Sequence, residues 1–279
     1  VKRLFGGLGQ ASTPVETPEA RADAVQIRIQ DLHKSYGTHE VLKGLSFDIR
    51  RGKVNHIIGP SGSGKTVLMR QLVRLESPDS GQILVDGVDW ATLHGLTLDR
   101  MRIKFGMVFQ MSALFDSMTV FENVAFPLVE HTSMSKQEIR ERVMDRLGIL
   151  GVAAAANKSP AELSGGMQKR VAVARALVRE SEVLIYDEPT TGLDPLTTQT
   201  VDELILETGE RFGVTSIVIS HDMASVFRIA DRITFLNFGR VEATGTPAEL
   251  LETLEPATLA FIKASGVSQD ILDERSRNG

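Results

Sequence analysis

The chain has 279 residues, with 36 acidic and 31 basic side chains and a formal net charge of −5, a balance that argues against a free-standing nucleic-acid binder. Its 42% hydrophobic content suffices to bury a sizeable core. Cysteine is absent and the six histidines are scattered, which removes disulfides, thiolate metal sites and cysteine nucleophiles and speaks against a zinc enzyme. No stretch reaches the ~18 apolar residues of a membrane-spanning helix. The longest greasy run, residues 147–156, reads as a helix end and a packed turn. The N-terminus lacks the apolar region of a secretory signal, so a soluble, cytoplasmic chain is expected.

In chain order, residues 1–24 carry Ser12, Thr13, Pro14, Thr17 and Pro18 with little periodicity, and read as a flexible tail. The alternative, a Lys2-Arg3-Leu4-Phe5 nub touching a membrane, binds weakly by itself. Residues 25–29, 45–49 and 82–86 are short strands, the first two alternating apolar and polar, punctuated by Gly37, Gly52 and Gly87, and predict a mostly antiparallel sheet. Residues 54–58 form a strand that runs into a glycine-rich loop and a helix from about Lys65.

The pattern is helical over about 111–180. Ser135-Lys136-Gln137-Glu138 is a capping box, and Ile139, Val143 and Leu147 follow on one face. Residues 183–186 and 216–220 are uninterrupted apolar strands with a helical stretch between them, the pattern of a parallel sheet covered on both faces. A further strand over 232–238 and a helix over 247–254 complete the reading. The fold class is therefore α/β, with a P-loop NTPase core, an antiparallel flank and an inserted helical subdomain. The expected domain spans are a tail over 1–24, a nucleotide-binding domain over 25–255 and a C-terminal extension over 256–279.

The chemistry starts at Gly59-Pro60-Ser61-Gly62-Ser63-Gly64-Lys65-Thr66, a complete P-loop pattern between a strand and a helix. Its glycines let backbone N–H groups converge on phosphate oxygens at a helix N-terminus. Lys65 is placed to reach the β- and γ-phosphates and the Thr66 hydroxyl to ligate Mg²⁺. Asp187 and Glu188 end a buried strand. Beside a P-loop, Asp187 is the expected anchor for Mg²⁺ through water, and Glu188 the group that polarises the attacking water. Alone, the pair could be strand-end solubilising charge. Ser164-Gly165-Gly166 opens a second helix with anion-binding geometry. Two such helix starts in one chain suggest that this one caps the γ-phosphate held by another copy, in a head-to-tail dimer with ATP between the subunits.

The order of P-loop, Gln110, Leu163-Ser164-Gly165-Gly166, Asp187-Glu188 and His221 resembles the ATP-binding subunits of ABC transporters over about residues 25–255. That resemblance implies further roles. Tyr36 matches the aromatic residue that stacks on adenine, although a packed strand-end tyrosine reads the same way. Gln110 matches the loop glutamine that contacts Mg²⁺ and water and senses the membrane partner. Thr191-Gly192-Leu193-Asp194 resembles the loop that signals between the two ATP sites, where the family more often has Ser-Ala-Leu-Asp. His221 matches the switch histidine at the γ-phosphate. Met167 departs from the glutamine that many members carry.

The segment 110–128, with Glu130-His131-Thr132, resembles the Mla-type branch that serves phospholipid trafficking with MCE-domain partners in the Gram-negative envelope. The implied setting is the cytoplasmic face of the inner membrane, bound to integral permease subunits. An apolar segment after Gln110 suits a groove for a short helix of the membrane subunit, though Leu114 and Phe115 also suit a helical core. Two alternatives remain: an amino-acid or ion importer ATPase, and a soluble ABC ATPase that acts as a nucleotide-switched binding module. The chain has one cassette, no heptads and no basic stripe, which weighs against the last.

Overall fold

The computed structural model describes residues 24–252 and 255–264. Alternation of apolar and polar side chains builds the first layer. In β1 (Val25–Tyr36) Ile27, Ile29 and Leu32 are buried, and in the antiparallel β2 (His39–Arg50) Leu45, Phe47 and Ile49 are their partners. The chain then crosses to a second sheet through β3 (Val54–Ile58) and α1 (Lys65–Leu72). It returns with β4 (Ser80–Val85), which pairs Ile83 with Ile29, and β5 (Val88–Asp89). This four-stranded sheet is antiparallel, as the alternation predicts, and has the order β2-β1-β4-β5.

After α2 (Gly95–Ile103) and β6 (Phe105–Val108) come three capped helices. Thr119 and Glu122 form the capping box of α3 (Val120–His131), and Ser135 and Glu138 that of α4 (Lys136–Ile149). Ser164 caps α5 (Gly165–Leu177). The rest alternates: β7 (Val183–Asp187), α6 (Pro195–Phe212), β8 (Thr215–Ile219), α7 (Met223–Ile229), β9 (Arg232–Asn237), β10 (Arg240–Gly245), α8 (Pro247–Leu251) and α9 (Pro256–Ala264). The second sheet has the order β10-β9-β3-β8-β7-β6 and is parallel except for the β9–β10 hairpin.

Because successive strand residues point to opposite faces, each central strand serves two cores. Val183 and Ile185 join Ile57, Ile217 and Leu68 in the core shared with the first sheet. Leu184, Tyr186 and Val218 face the core of α3, α4, α5 and α6, where Ile139, Val143 and Leu147 are buried as their four-residue spacing requires. A third cluster packs α7, α8 and α9 against Ile233 and Phe235. Full burial of each such side chain contributes about 1.5–3 kcal/mol. The two sheets are also joined by the backbone: Lys43 N–H donates to Gly239 O at 2.8 Å. Gly239 has φ +79° and a Cβ there would lie 2.2 Å from Val41 O, so only glycine permits this approach.

The structure adds β5, α2, α7 and β10, which the sequence pattern does not announce. It also trims two elements. The strand expected over 232–238 stops at Asn237, because Phe238 turns with φ +45°. The helix expected over 247–254 ends at Leu251, with 253–254 outside the described residues. Of the expected tails, residues 1–23 and 265–279 also lie outside them. Among the described residues no helix is long and apolar enough to cross a membrane.

Candidate active site

Strand order decides which loops meet. Adjacent parallel strands β3, β8, β7 and β6 emit from their C-terminal ends the P-loop, His221, Asp187-Glu188 and Gln110 respectively. That edge of an open parallel sheet is where α/β folds bind ligands.

The P-loop backbone is committed to its shape. Gly59 has φ +152°, and a Cβ would lie 2.1 Å from Leu236 O and 2.8 Å from Ser63 Oγ. Gly62 and Gly64 are also left-handed, at φ +80° and +103°. Ser63 is buried, whereas Pro60, Ser61 and Thr66 face solvent. Lys65 opens α1 and its ammonium donates to Gly59 O at 2.7 Å and Pro60 O at 3.0 Å. Burial pushes that ammonium below the usual lysine range, opposed by the Glu188 and Asp187 carboxylates. The same influence brings Lys65 and the two acids into one electrostatic cluster. Burial first, then Glu188, push Asp187 above the usual carboxylate range, and Lys65 opposes them.

Glu188 is held by its surroundings in an unusual backbone state. Its φ is +49°, a left-handed value that a non-glycine residue adopts at some cost. Its N–H donates to Ile219 O at 2.9 Å, which ties the end of β7 to the end of β8. Its Oε2 accepts from Thr191 Oγ1 at 2.9 Å and lies 2.8 Å from His221 Nδ1. The carboxylate is thus flanked by one group from its own loop, Thr191, and one from the loop after β8, His221.

Among the described residues, the remaining expected residues share no hydrogen bond or ion pair with this cluster. Gln110 is exposed, and its backbone carbonyl accepts from Lys169 Nζ on α5. Arg175 of the same helix donates to Ala113 O at 2.7 Å and Ser112 O at 2.9 Å, where both loop residues are left-handed. Ser164 Oγ accepts from Met167 N at 3.3 Å, and a Cβ at Gly165 or Gly166 would meet nothing within 4 Å. Among the described residues no hydrogen bond or ion pair joins residues 164–166 to the P-loop of the same chain. Asp194 caps α6, accepting from Leu196 N and Thr197 N at 3.0 and 3.1 Å. Tyr36 ends β1 and the residue is 45% exposed, so it is not the packed strand-end tyrosine of the alternative reading.

Sequence reasoning missed Lys169, Arg175, Thr191 in its bond to Glu188, and the buried Asp202. Asp202 on α6 accepts from Ser225 Oγ at 2.5 Å and Arg228 Nη1 at 2.6 Å on α7, which follows His221. Its only sequence signal is an acid on the buried stripe of Thr198, Val201, Ile205 and Thr208.

Residues 42–191 match the ABC transporter family. The chain belongs to that family. It is an ABC-type ATP hydrolase subunit, with the α/β nucleotide-binding fold that its sequence predicts. It is 38% identical over 237 residues to the intermembrane phospholipid transport ATP-binding protein MlaF of Haemophilus influenzae, covering 85% of this chain and 90% of that one. It is 41% identical to the methionine import ATP-binding protein MetN of Caulobacter vibrioides over 83% of this chain and 70% of that one. Among solved structures, the ATP-binding cassette MJ0796, a dimer in a post-hydrolysis state bound to ADP and Pi, is 32% identical with a TM-score of 0.68. It covers 79% of this chain and 98% of that one. The family's cassettes act as dimers with membrane permeases, so the subunit is peripheral to a membrane.

Proposed function

We propose that this ATPase energises phospholipid trafficking through an integral permease at the cytoplasmic face of the inner membrane, with an MCE-domain lipid-binding subunit as a further partner. The observation that carries the reading is the likeness to MlaF across nine-tenths of that protein's length. The segment after Gln110 supports it. Phe109, Ala113, Phe115, Phe126 and Pro127 line an open groove of about 510 Å³ that suits a short helix of the permease. The test is to co-purify the membrane complex and identify its bound lipid by mass spectrometry. Phospholipid supports the proposal; a bound amino acid or ion supports the importer reading that the MetN likeness favours.

In the proposed mechanism, ATP lies on the P-loop, with the loop residues other than Pro60 offering backbone N–H groups, Lys65 between the β- and γ-phosphates and adenine on Tyr36. Oxygen donors from Thr66, Gln110 and, through water, Asp187 are the hard set that suits Mg²⁺. Two carboxylates, Asp187 and Glu188, act on the single Lys65 ammonium, a charge balance with room for a further cation. Mg²⁺ when bound supplies charge stabilisation on the β- and γ-oxygens. Glu188 takes a proton from the water that attacks the γ-phosphorus as the bond to ADP breaks, and His221 keeps the carboxylate aligned. Ser164, Gly165 and Gly166 of a head-to-tail partner cap the γ-phosphate, and Asp194 links the two sites. Residues 25–255 would form this unit, with its helical subdomain over about 111–180.

A further inference from the structure

We infer that Glu76 is a positioning residue for the nucleobase, holding the Tyr36 ring ready to stack; this rests on the reading of Tyr36 as the adenine platform. The Tyr36 hydroxyl donates to both oxygens of the Glu76 carboxylate, at 2.5 and 2.6 Å. Glu76 in turn hangs from α1, its N–H donating to Arg70 O at 3.3 Å. The helix that opens with the phosphate-binding Lys65 therefore also anchors, just past its other end, the ring that meets the base. Its eight residues span about 12 Å.

The surrounding bonds stiffen the tether. Lys34 Nζ donates to Asp79 Oδ1 at 2.9 Å and Ser77 O at 3.0 Å, and lies 3.7 Å from Glu76. Asp79 Oδ2 accepts from Ser35 N–H at 2.7 Å. Lys34 Nζ also lies 5.6 Å from the centroid of the Tyr36 ring, and the residue stays 45% exposed, so the tethered side chain remains accessible to a flat partner. An exposed aromatic side chain normally loses rotamer freedom when a ligand stacks on it. Here that ordering precedes binding, so the tether strengthens affinity for the base and not for the phosphates.

The test measures binding of ATP and of inorganic tripolyphosphate, which has no base, to the full chain. Glu76→Ala and Tyr36→Phe are each expected to weaken ATP about three- to ten-fold and leave tripolyphosphate unchanged. Glu76→Gln, which keeps an acceptor, should recover part of the loss. The double variant Tyr36→Phe/Glu76→Ala should be no weaker than either single one, because both remove the same bond. Equal weakening of ATP and tripolyphosphate by Glu76→Ala overturns the inference, since Glu76 then acts through α1. Unchanged ATP affinity in Glu76→Ala with a loss in Tyr36→Ala overturns the tether alone. No loss in Tyr36→Ala overturns the stacking reading itself.

Discussion

His221 Nδ1 and Glu188 Oε2 lie 2.8 Å apart, although one residue leaves β8 and the other β7. At that distance the imidazole of one loop limits where the carboxylate of the other can lie. The strained backbone at Glu188 and the hydroxyl of Thr191 act on the same carboxylate.

Glu188→Gln should therefore leave ATP affinity near that of the parent and lower turnover by about 100-fold or more, because the amide accepts no proton. ATP-bound dimer should accumulate. Near-parent phosphate release in this variant removes Glu188 from the chemistry.

His221→Ala should reduce turnover while ATP affinity changes little, since the carboxylate loses the imidazole that lies 2.8 Å away but keeps its charge. Adding Thr191→Ala should reduce it further, because the Thr191 hydroxyl and the His221 ring both approach Oε2. Steady-state phosphate release on the single and double variants checks this.

Lys65→Ala should act on binding. The ammonium is already partly desolvated and held by two carbonyls, so phosphate oxygens replace those partners at little reorganisation. ATP affinity should fall about ten-fold or more by titration calorimetry.

The P-loop, the two acids and the helix caps were legible because their chemistry is local: a complete motif, a strand end, a Ser-x-x-Glu pair. α2 was not, since none of its residues is buried and no apolar stripe marks it. β10 was missed for a similar reason: it is a short edge strand, Arg240–Gly245, with only Gly245 buried. Asp202, Lys169 and Glu76 each depend on a partner far along the chain. Nothing next to them in sequence names that partner.

Asp202 supplies a stability prediction. Asp202→Ala leaves Ser225 and Arg228 without their buried acceptor and should lower unfolding free energy by about 1–3 kcal/mol in urea titrations. Asp202→Asn, which keeps an acceptor, should lose less.

Asp194 supplies a pH prediction. The Thr197 hydroxyl, then its backbone N–H, hold this carboxyl below the usual range. A carboxyl lowered by folding contributes stability fully present above its unfolded value of about 4 and lost as pH falls through the folded value. Asp194→Asn should therefore show a shallower decline of Tm between about pH 5 and about pH 3 than the parent chain. Parallel declines contradict the assignment.

The central claim is that one ATP is enclosed by the P-loop of one copy and residues 164–166 of the other. The chain has no cysteine, so paired cysteines can be placed at Ser61 and Ser164 without background. With ATP, Mg²⁺ and the Glu188→Gln background, oxidation should yield a dimer cross-linked between chains, and removal of nucleotide should abolish it. Cross-links confined to single chains, or formed equally without nucleotide, would contradict the shared site.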